Sequence, residues 1–293
     1  MISIIICSKS PELLQMVSAS IDQTIGVPYE IIAIHNPEGK LGICAAYNQG
    51  AEKARYKHLC FSHEDIIYHT QCWGQRLLNH LTDPEAGLIG VVGCCVKPKS
   101  PSGVWLDNET VDRHSMLQTG RDGRPYLKHW NPLNEERSHV MNLDGLFLAC
   151  RKKVWEENRF DEENFSNFHG YDVDFSIQVA QRYKNYVVFD ILLEHQSDGR
   201  SNHYWLDAVV AVEKKWSHVL PLSSLELDEA FLNRLEFKTL ETFLKTVIEN
   251  KCVAIKYLPY YLQMVRRKPN DLDLLRLIRY YFQSSRKNLK KAV

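Results

Sequence analysis

The sequence lacks a Cys-x-x-Cys pair, although its 293 residues include eight cysteines. Zinc-ribbon sites are built from such closely spaced pairs, so a structural zinc of this kind is excluded. Several cysteines, including Cys60 and Cys150, lie inside apolar runs, as small buried hydrophobic residues do. We therefore expect reduced thiols in a cytoplasmic protein.

Long apolar segments and an excess of one charge are also missing. No apolar run approaches the ~20 residues that a membrane-spanning helix needs. The run Ile2–Cys7 has no basic segment before it, which predicts a first strand rather than a signal peptide. The 36 Lys and Arg residues balance the 36 Asp and Glu residues, so net charge gives no indication of nucleic-acid binding.

The C-terminus is the one strongly charged part of the chain. Residues 264–293 contain nine Lys or Arg residues and only two Asp residues. This basic segment also has apolar residues at helical spacing, from Leu274 to Phe282. It predicts either peripheral contact with an anionic membrane surface or a helix that packs on the rest of the protein.

The first 67 residues have a regular pattern of strands and helices. Apolar runs at Ile2–Cys7, Tyr29–His35 and His58–Ser62 are typical of buried strands, and the segments between them have helical spacing. This β-α-β-α-β order predicts parallel strands with right-handed crossovers. Further strands are expected at Gly87–Val96, Val140–Cys150 and Tyr186–Leu193.

The remaining segments differ in character. Residues 97–137 are rich in Pro, Gly, Asp and Asn, with a possible hairpin turn at Asp122-Gly123. From His203 onward the pattern is helical, with Leu240, Phe243, Leu244 and Val247 on one face. We predict an α/β domain over residues 1–205 and a helical C-terminal extension over residues 206–293.

Four polar clusters follow strand-like or turn segments. They are His63-Glu64-Asp65, Asp144-Gly145, Tyr171-Asp172-Val173-Asp174 and Glu194-His195. The carboxyl ends of parallel strands meet at one edge of a sheet, so these clusters can share a cleft. Carboxylates with imidazole bind a divalent cation, and a separate carboxylate can act as a base. The alternatives are that Glu64 and Asp65 cap a helix, Asp144 serves a turn and His195 lies at the surface.

The order of these segments resembles the GT-A glycosyltransferases, in particular the family 2-like group, over roughly residues 1–200. Ser3–Ser8 is similar to the first strand of that family, and Gly42–Gly50 resembles its small-residue helix. His63-Glu64-Asp65 stands in the place of the Asp-x-Asp motif. Asp144-Gly145 resembles the strand beside the acceptor, and Gly170–Ser176 resembles the Glu-Asp-x-Asp segment that supplies the base.

The resemblance implies a GT-A fold, a Rossmann-like α/β architecture with a mixed, mainly parallel sheet covered by helices on both faces. It also implies a role for each matching residue. Asp65 would coordinate Mn²⁺ or Mg²⁺ with His63 and His195, and Asp172 would be the catalytic base. The implied nucleotide-sugar contacts are Ser8, Asn36, Asn48, Glu64 and Asp65. The implied acceptor or sugar contacts are Asp144, Gly145, Asp174 and Trp130, where Trp130, like Trp105, stacks on a sugar ring or anchors the core.

Two residues depart from the family pattern. His63 replaces the first Asp of the Asp-x-Asp motif, and because Mg²⁺ prefers oxygen ligands this favours Mn²⁺. Tyr171 replaces the Glu before the base, which leaves either Asp172 or Asp174 for that role.

The expected activity is transfer of a sugar from a UDP-linked donor to a hydroxyl group, with inversion. The expected acceptor is a glycan or a lipid-linked precursor, as in cell-surface polysaccharide synthesis. A sugar nucleotidyltransferase would need a Gly-rich loop after the first strand, where this chain has Ser8-Lys9-Ser10-Pro11. A non-catalytic relative that binds nucleotides or sugars is the other alternative, because of His63 and Tyr171.

Overall fold

The structure is a computed structural model that describes residues 1–120, 122–197, 199, 201–252, 255–267 and 279. The chain divides into two compact units. The first comprises Met1–Lys97, Gly103–Gly199 and Pro221–Leu225, and the second comprises Pro98–Ser102, Arg200–Leu220 and the chain from Glu226 onward. The domain division at residue 205 stays a prediction.

The first unit begins with the predicted β-α-β-α-β order. Its elements are β1 (Ile2–Ser8), α1 (Pro11–Thr24), β2 (Tyr29–His35), α2 (Ile43–Lys53) and β3 (His58–Ser62). Strand β1 pairs in parallel with both β2 and β3, as crossover helices require. Ile2, Ile4, Ile5 and Ile6 are fully buried, so the apolar run that predicted β1 forms the centre of the core.

The rest of the first unit is richer in short strands. Its elements are β4 (Ile66–Tyr68), α3 (Trp73–His80), β5 (Ala86–Gly90), β6 (Val92–Cys94), β7 (Val96–Lys97), β8 (Asp112–Thr119), β9 (Pro125–Trp130), β10 (Arg137–Val140), β11 (Asn142–Leu143), β12 (Phe147–Arg151), α4 (Lys152–Asn158), α5 (Tyr171–Ala180), β13 (Lys184–Val188), β14 (Leu193–His195) and β15 (Leu222–Ser223).

These strands form three sheets. One has seven strands in the order β10-β13-β5-β12-β3-β1-β2, a second has the order β11-β6-β8-β14-β4 with β9 beside β8, and β15 pairs with β7. Strand β12 runs antiparallel to β3 and β5, so the large sheet is mixed. The α/β fold class is therefore confirmed.

The predicted hairpin at Asp122-Gly123 is present between β8 and β9. The backbone N–H of Gly120 donates to the carbonyl of Arg124 at 2.9 Å. Gly123 has a φ of +74°, a conformation that glycine adopts without a steric penalty.

Three predicted strands are wrong as single elements. The expected strand Val140–Cys150 is divided among β10, β11 and β12, and β11 lies in a different sheet from the other two. The expected strand Gly87–Val96 is three strands in three different sheets, β5, β6 and β7. The chain changes sheet after Gly90, and added Cβ atoms at Gly90 and at Gly93 would each lie 2.9 Å from Leu143 Cδ2, so the backbone passes close to β11. The expected strand Tyr186–Leu193 likewise divides into β13 and β14, because the chain changes sheet there.

The second unit contains the helical segment that periodicity predicted. Its elements are α6 (His203–Trp216), α7 (Glu229–Glu249), a 3₁₀ turn (Ile255–Tyr257) and α8 (Leu258–Arg267). Asp228 caps α7 by accepting the N–H of Phe231 at 2.6 Å. The predicted apolar face of α7 is buried in a cluster with residues of α6 and α8: Leu206, Val209, Leu240, Phe243, Leu244, Val247, Tyr257, Tyr261 and Met264.

The predicted helix from Leu274 to Phe282 lies outside the described residues, apart from Arg279. In the ranges that the structure describes, no helix has both the length and the apolar character needed to cross a membrane.

Candidate metal and catalytic site

His63, Asp65 and His195 form a cluster that could hold a metal ion. One nitrogen or oxygen atom from each of the three side chains lies within 4.8 Å of the others. Strand β3 delivers His63 and Asp65, and β14 delivers His195, because His195 is in register with Ile66 of β4. The backbone N–H of Gln196 also donates to the carbonyl of Asp65 at 3.0 Å. The structure therefore brings together the three residues that the sequence predicted as metal ligands.

The charge state of this cluster suits a cation. Burial by itself raises the pKa of Asp65, but a hydrogen bond from His195 and the nearby imidazoles outweigh it, and the pKa lies well below its usual range. Ser197 Oγ adds a hydrogen bond to Asp65 Oδ2 at 2.6 Å. Burial lowers the pKa of His63, which keeps that imidazole neutral. An ionised carboxylate beside neutral imidazole is the form in which these groups bind metal.

The donor set fits Mn²⁺ better than Mg²⁺. His63 Nδ1 lies 3.9 Å from Asp65 Oδ1, and His195 Nε2 lies 3.5 Å from Asp65 Oδ2. Two imidazoles and one carboxylate suit first-row transition metals, whereas Mg²⁺ selects oxygen ligands.

Tyr171 connects this cluster to the N-terminus of α5. Its hydroxyl lies 2.8 Å from Nε2 of His63. The same hydroxyl lies over Gly145, where an added Cβ would come within 1.9 Å of it. Gly145 therefore leaves the space that Tyr171 needs to reach His63.

Asp172, the next residue of α5, lies beside Asp144. The backbone N–H of Gly145 donates to Asp172 Oδ2 at 3.2 Å, and that of Leu146 donates to Asp144 Oδ1 at 3.1 Å. Burial, reinforced by the negative charge of Asp144, raises the pKa of Asp172 to about 7. A carboxylate with such a pKa can accept a proton near neutral pH.

Asp174 differs from Asp172 in its exposure. The side chain of Asp174 is 1% exposed, whereas Asp172 is half-buried. An acceptor hydroxyl can therefore reach Asp172 more readily than Asp174.

The predicted nucleotide-sugar contacts occupy two kinds of position. Ser8 is the last residue of β1, and Asn36 begins the loop after β2. A cavity of about 300 Å³ adjoins Asn36. Asn36 closes its loop, because Nδ2 donates to the carbonyl of Leu41 at 2.6 Å. Glu64 accepts the backbone N–H groups of Lys9 and Ser10 at 3.1 Å, so it holds the loop between β1 and α1.

Asn48 lies inside α2 with its amide group engaged by the chain. Its Nδ2 donates to the carbonyl of Phe160 at 2.9 Å, and its Oδ1 accepts from Trp155 Nε1 at 3.0 Å. The side chain is 2% exposed. In this conformation Asn48 links α2 to α4 and to Phe160, and its contact with the nucleotide-sugar stays a prediction.

Sequence reasoning gave less weight to Trp105 and did not identify Ser197. Trp105 Nε1 donates to Asp144 Oδ2 at 3.3 Å, which places the indole directly beside Asp144. Trp130 donates its indole N–H to the carbonyl of Glu109 at 2.6 Å, and its contact with the acceptor stays a prediction. Ser197 donates a hydrogen bond to Asp65. Its position two residues after His195 is the one sequence signal that could have indicated this contact.

Most of the chain matches a known protein family. A family model described as "Glycosyltransferase like family" matches residues 3–219. No curated protein matches the chain significantly.

Three solved structures share this fold at low sequence identity with the chain. Mannosyltransferase PcManGT from Pyrobaculum calidifontis, in complex with GDP-Man and Mn²⁺, has a TM-score of 0.51 and 12% identity, over 98% of this chain and 86% of that chain. TarS residues 1–349 from S. aureus, in complex with UDP, has a TM-score of 0.50 and 11% identity, over 100% and 92%.

GalNAc-T7 with UDP, GalNAc and Mn²⁺ has a TM-score of 0.50 and 12% identity, over 85% of this chain. The match spans only 57% of the GalNAc-T7 chain. At these identities the likeness shows the fold, and it confirms the GT-A assignment.

Proposed function

The chain belongs to the glycosyltransferase-like family, and on that basis we propose that it transfers a sugar from a UDP-linked donor to a hydroxyl group, with inversion at the anomeric carbon. The observation that carries this proposal is the cluster of His63, Asp65 and His195 next to Asp172 and Asp144. It combines a site for a divalent cation with a carboxylate that can take a proton near pH 7.

His63, Asp65 and His195 would hold Mn²⁺. The ion supplies Lewis-acid chemistry, since its charge offsets the negative charge that develops on a diphosphate leaving group. UDP with Mn²⁺, and GDP-Man with Mn²⁺, occur in two of the similar structures. Ser8, Asn36 and Glu64 lie at or next to the ends of β1, β2 and β3, the sheet edge where α/β folds bind nucleotides.

Asp172 would act on the acceptor. The acceptor oxygen forms a bond to the anomeric carbon while the bond between that carbon and the diphosphate oxygen breaks. The hydroxyl proton passes to the Asp172 carboxylate, and the electron pair leaves with the nucleoside diphosphate. Attack opposite the leaving group inverts the configuration.

The acceptor is proposed to be a glycan or a lipid-linked precursor of a surface polysaccharide. Asp144 and Gly145, beside Asp172, would contact its hydroxyl groups. A cytoplasmic location is proposed from the unpaired cysteines, and peripheral contact with an anionic membrane is proposed from the basic residues of 264–293. Arg266 and Arg267 end α8, and the other basic residues of this segment, except Arg279, lie outside the described residues.

Thermal-shift measurement with UDP, with and without Mn²⁺, tests the donor site. A ligand that binds the folded state raises the melting temperature by mass action. We expect the largest shift with UDP and Mn²⁺ together. No shift with UDP, GDP or their sugar derivatives would overturn the assignment.

Hydrolysis of UDP-sugars distinguishes an enzyme from a non-catalytic relative. We expect slow hydrolysis by the wild type and little by Asp65→Asn or Asp172→Asn. Glu156→Gln is the control, because Glu156 is an exposed carboxylate of α4. Tight UDP binding without hydrolysis of any UDP-sugar would support the non-catalytic alternative.

A further inference from the structure

Strand β9 presents a row of aromatic and cationic side chains. Side chains alternate across a strand, so Tyr126, Lys128 and Trp130 share one face of β9. The register with β8 places Trp130 opposite His114 and Lys128 opposite Met116. Tyr126 is 48% exposed, and it is therefore accessible to a ligand.

Trp105 joins this row to the catalytic centre. The Lys128 ammonium lies 5.0 Å from the centroid of the Trp105 ring and 5.8 Å from that of Tyr126. Trp105 in turn donates its indole N–H to Asp144 at 3.3 Å. A continuous path of contacts therefore runs from Asp144 through Trp105 and Lys128 to Tyr126.

Lys128 carries a charge that the protein does not neutralise. Across the described ranges, no carboxylate forms an ion pair with its ammonium, which contacts the two rings instead. Cation–π contacts of this kind contribute only about 0.5–1 kcal/mol at exposed sites. They hold the ammonium in place and leave its N–H donors available to an anion.

We propose that Trp105, Tyr126 and Lys128 form an acceptor subsite for an acidic glycan, one that carries a carboxylate or a phosphate group. The exposed Tyr126 ring offers a flat apolar face to the C–H groups of a sugar ring, and Lys128 pairs with the acidic group. The Trp105 ring contacts both Lys128 and His114, so it holds the ammonium at the edge of the site. The inference deepens the proposed function and rests on it, because Asp144 links this surface to the site of transfer.

A glycan array tests this subsite directly. It should display uronate-, sialate- and phosphate-bearing glycans, each beside its neutral parent, and be probed with and without UDP and Mn²⁺. We expect the wild type to bind acidic glycans about tenfold better than their parents, as one charge-assisted hydrogen bond provides. The separate acidic classes distinguish a carboxylate from a phosphate.

Two variants and one control complete the design. Lys128→Gln should lose the preference for acidic glycans, and Tyr126→Ala should weaken binding of acidic and neutral forms alike. Lys57→Gln, which removes an exposed lysine from the loop before β3, should change neither. Equal binding of acidic and neutral glycans, no binding of acidic glycans, or an unchanged preference in Lys128→Gln would overturn the subsite.

Failure of the subsite and failure of the proposed function give different results. Absence of any thermal shift with UDP, GDP or their sugar derivatives, with and without Mn²⁺, refutes the transferase proposal, whatever the array shows. A normal shift with no acidic preference refutes the subsite alone.

Discussion

The hydroxyl of Tyr171 lies 2.8 Å from Nε2 of His63, so the two residues that depart from the family pattern touch each other. With Nε2 engaged, Nδ1 is the nitrogen of His63 that faces Asp65, at 3.9 Å from Oδ1. Metal-binding histidines commonly use their second nitrogen in this way, which fixes the tautomer and the ring orientation. Tyr171 stands where the family has a glutamate, and His63 stands where it has an aspartate. The two replacements therefore act together, because the hydroxyl of Tyr171 orients the imidazole of His63.

Tyr171→Phe should weaken Mn²⁺ binding while the protein remains folded. The variant removes only the hydroxyl that orients His63, and loss of such a partner typically costs about 10–100-fold in metal affinity. Titration of Mn²⁺ followed by electron paramagnetic resonance measures this affinity without any substrate. Tyr183→Phe is the matched control, since it removes a hydroxyl that donates to Glu157 at 2.7 Å, away from the cluster. Equal Mn²⁺ affinity in both variants would contradict the orienting role.

The sequence predicted those parts of the molecule that follow from local patterns. The buried isoleucines of β1 and the spacing of the first helices were sufficient for the β-α-β-α-β order. The strand ends pointed to a shared cleft, and the family resemblance implied that His63, Asp65 and His195 bind a metal together. The expectation of a single sheet edge was wrong, because β3 and β14 lie in different sheets. The contact between His63 and Tyr171 spans 108 residues and depends on β12 pairing with β3, where Phe147 lies opposite Ser62. No local pattern encodes that register.

Trp105 shows a second limit of sequence reasoning. It lies in the irregular segment between β7 and β8, which has no hydrophobic period to indicate direction. Its contact with Asp144 depends on the path of the backbone through this segment. The close approach of Gly90 and Gly93 to Leu143 likewise depends on the path of the backbone. A sequence pattern finds residues that end regular elements, but it does not find those that irregular segments bring to the site.

His63→Asp should shift metal preference toward Mg²⁺. The substitution exchanges an imidazole for a carboxylate and so restores the oxygen-rich set that Mg²⁺ favours. We expect the ratio of Mn²⁺ to Mg²⁺ affinity to fall relative to the wild type. Isothermal titration calorimetry with each metal and UDP measures that ratio. An unchanged ratio would show that His63 is not a ligand.

Gly145→Ala should destabilise the fold and disturb the site together. The new Cβ would lie 1.9 Å from the Tyr171 hydroxyl and 2.4 Å from its ring carbon, so Tyr171 must move. Overpacking of this kind typically costs about 1–3 kcal/mol in the free energy of unfolding. Urea denaturation measures the loss. Gly199→Ala is the control, because nothing lies within 4 Å of its added Cβ, and equal effects of the two substitutions would contradict the prediction.

The activity should depend on pH through Asp172. Burial and the charge of Asp144 raise the pKa of Asp172 to about 7, so the carboxyl is protonated below that pH and cannot accept a proton. The kcat/KM for donor hydrolysis should therefore fall about tenfold for each pH unit below 7 and level off above it. A carboxyl with its ordinary pKa, roughly 4, would give a flat profile over this range.

Asp144→Asn provides the discriminating comparison for this pH dependence. Removing the negative charge beside Asp172 should lower its pKa, so the acidic limb of the profile should move to lower pH even though the remaining activity is reduced. Asp172→Asn should remove the limb altogether, leaving a low and flat rate. Mn²⁺ affinity should be measured at each pH in parallel, because protonation of His63 or His195 also weakens the site in acid. If the limb follows Mn²⁺ affinity and does not move in Asp144→Asn, the metal ligands and not Asp172 set the pH dependence, and Asp172 loses its assignment as the base.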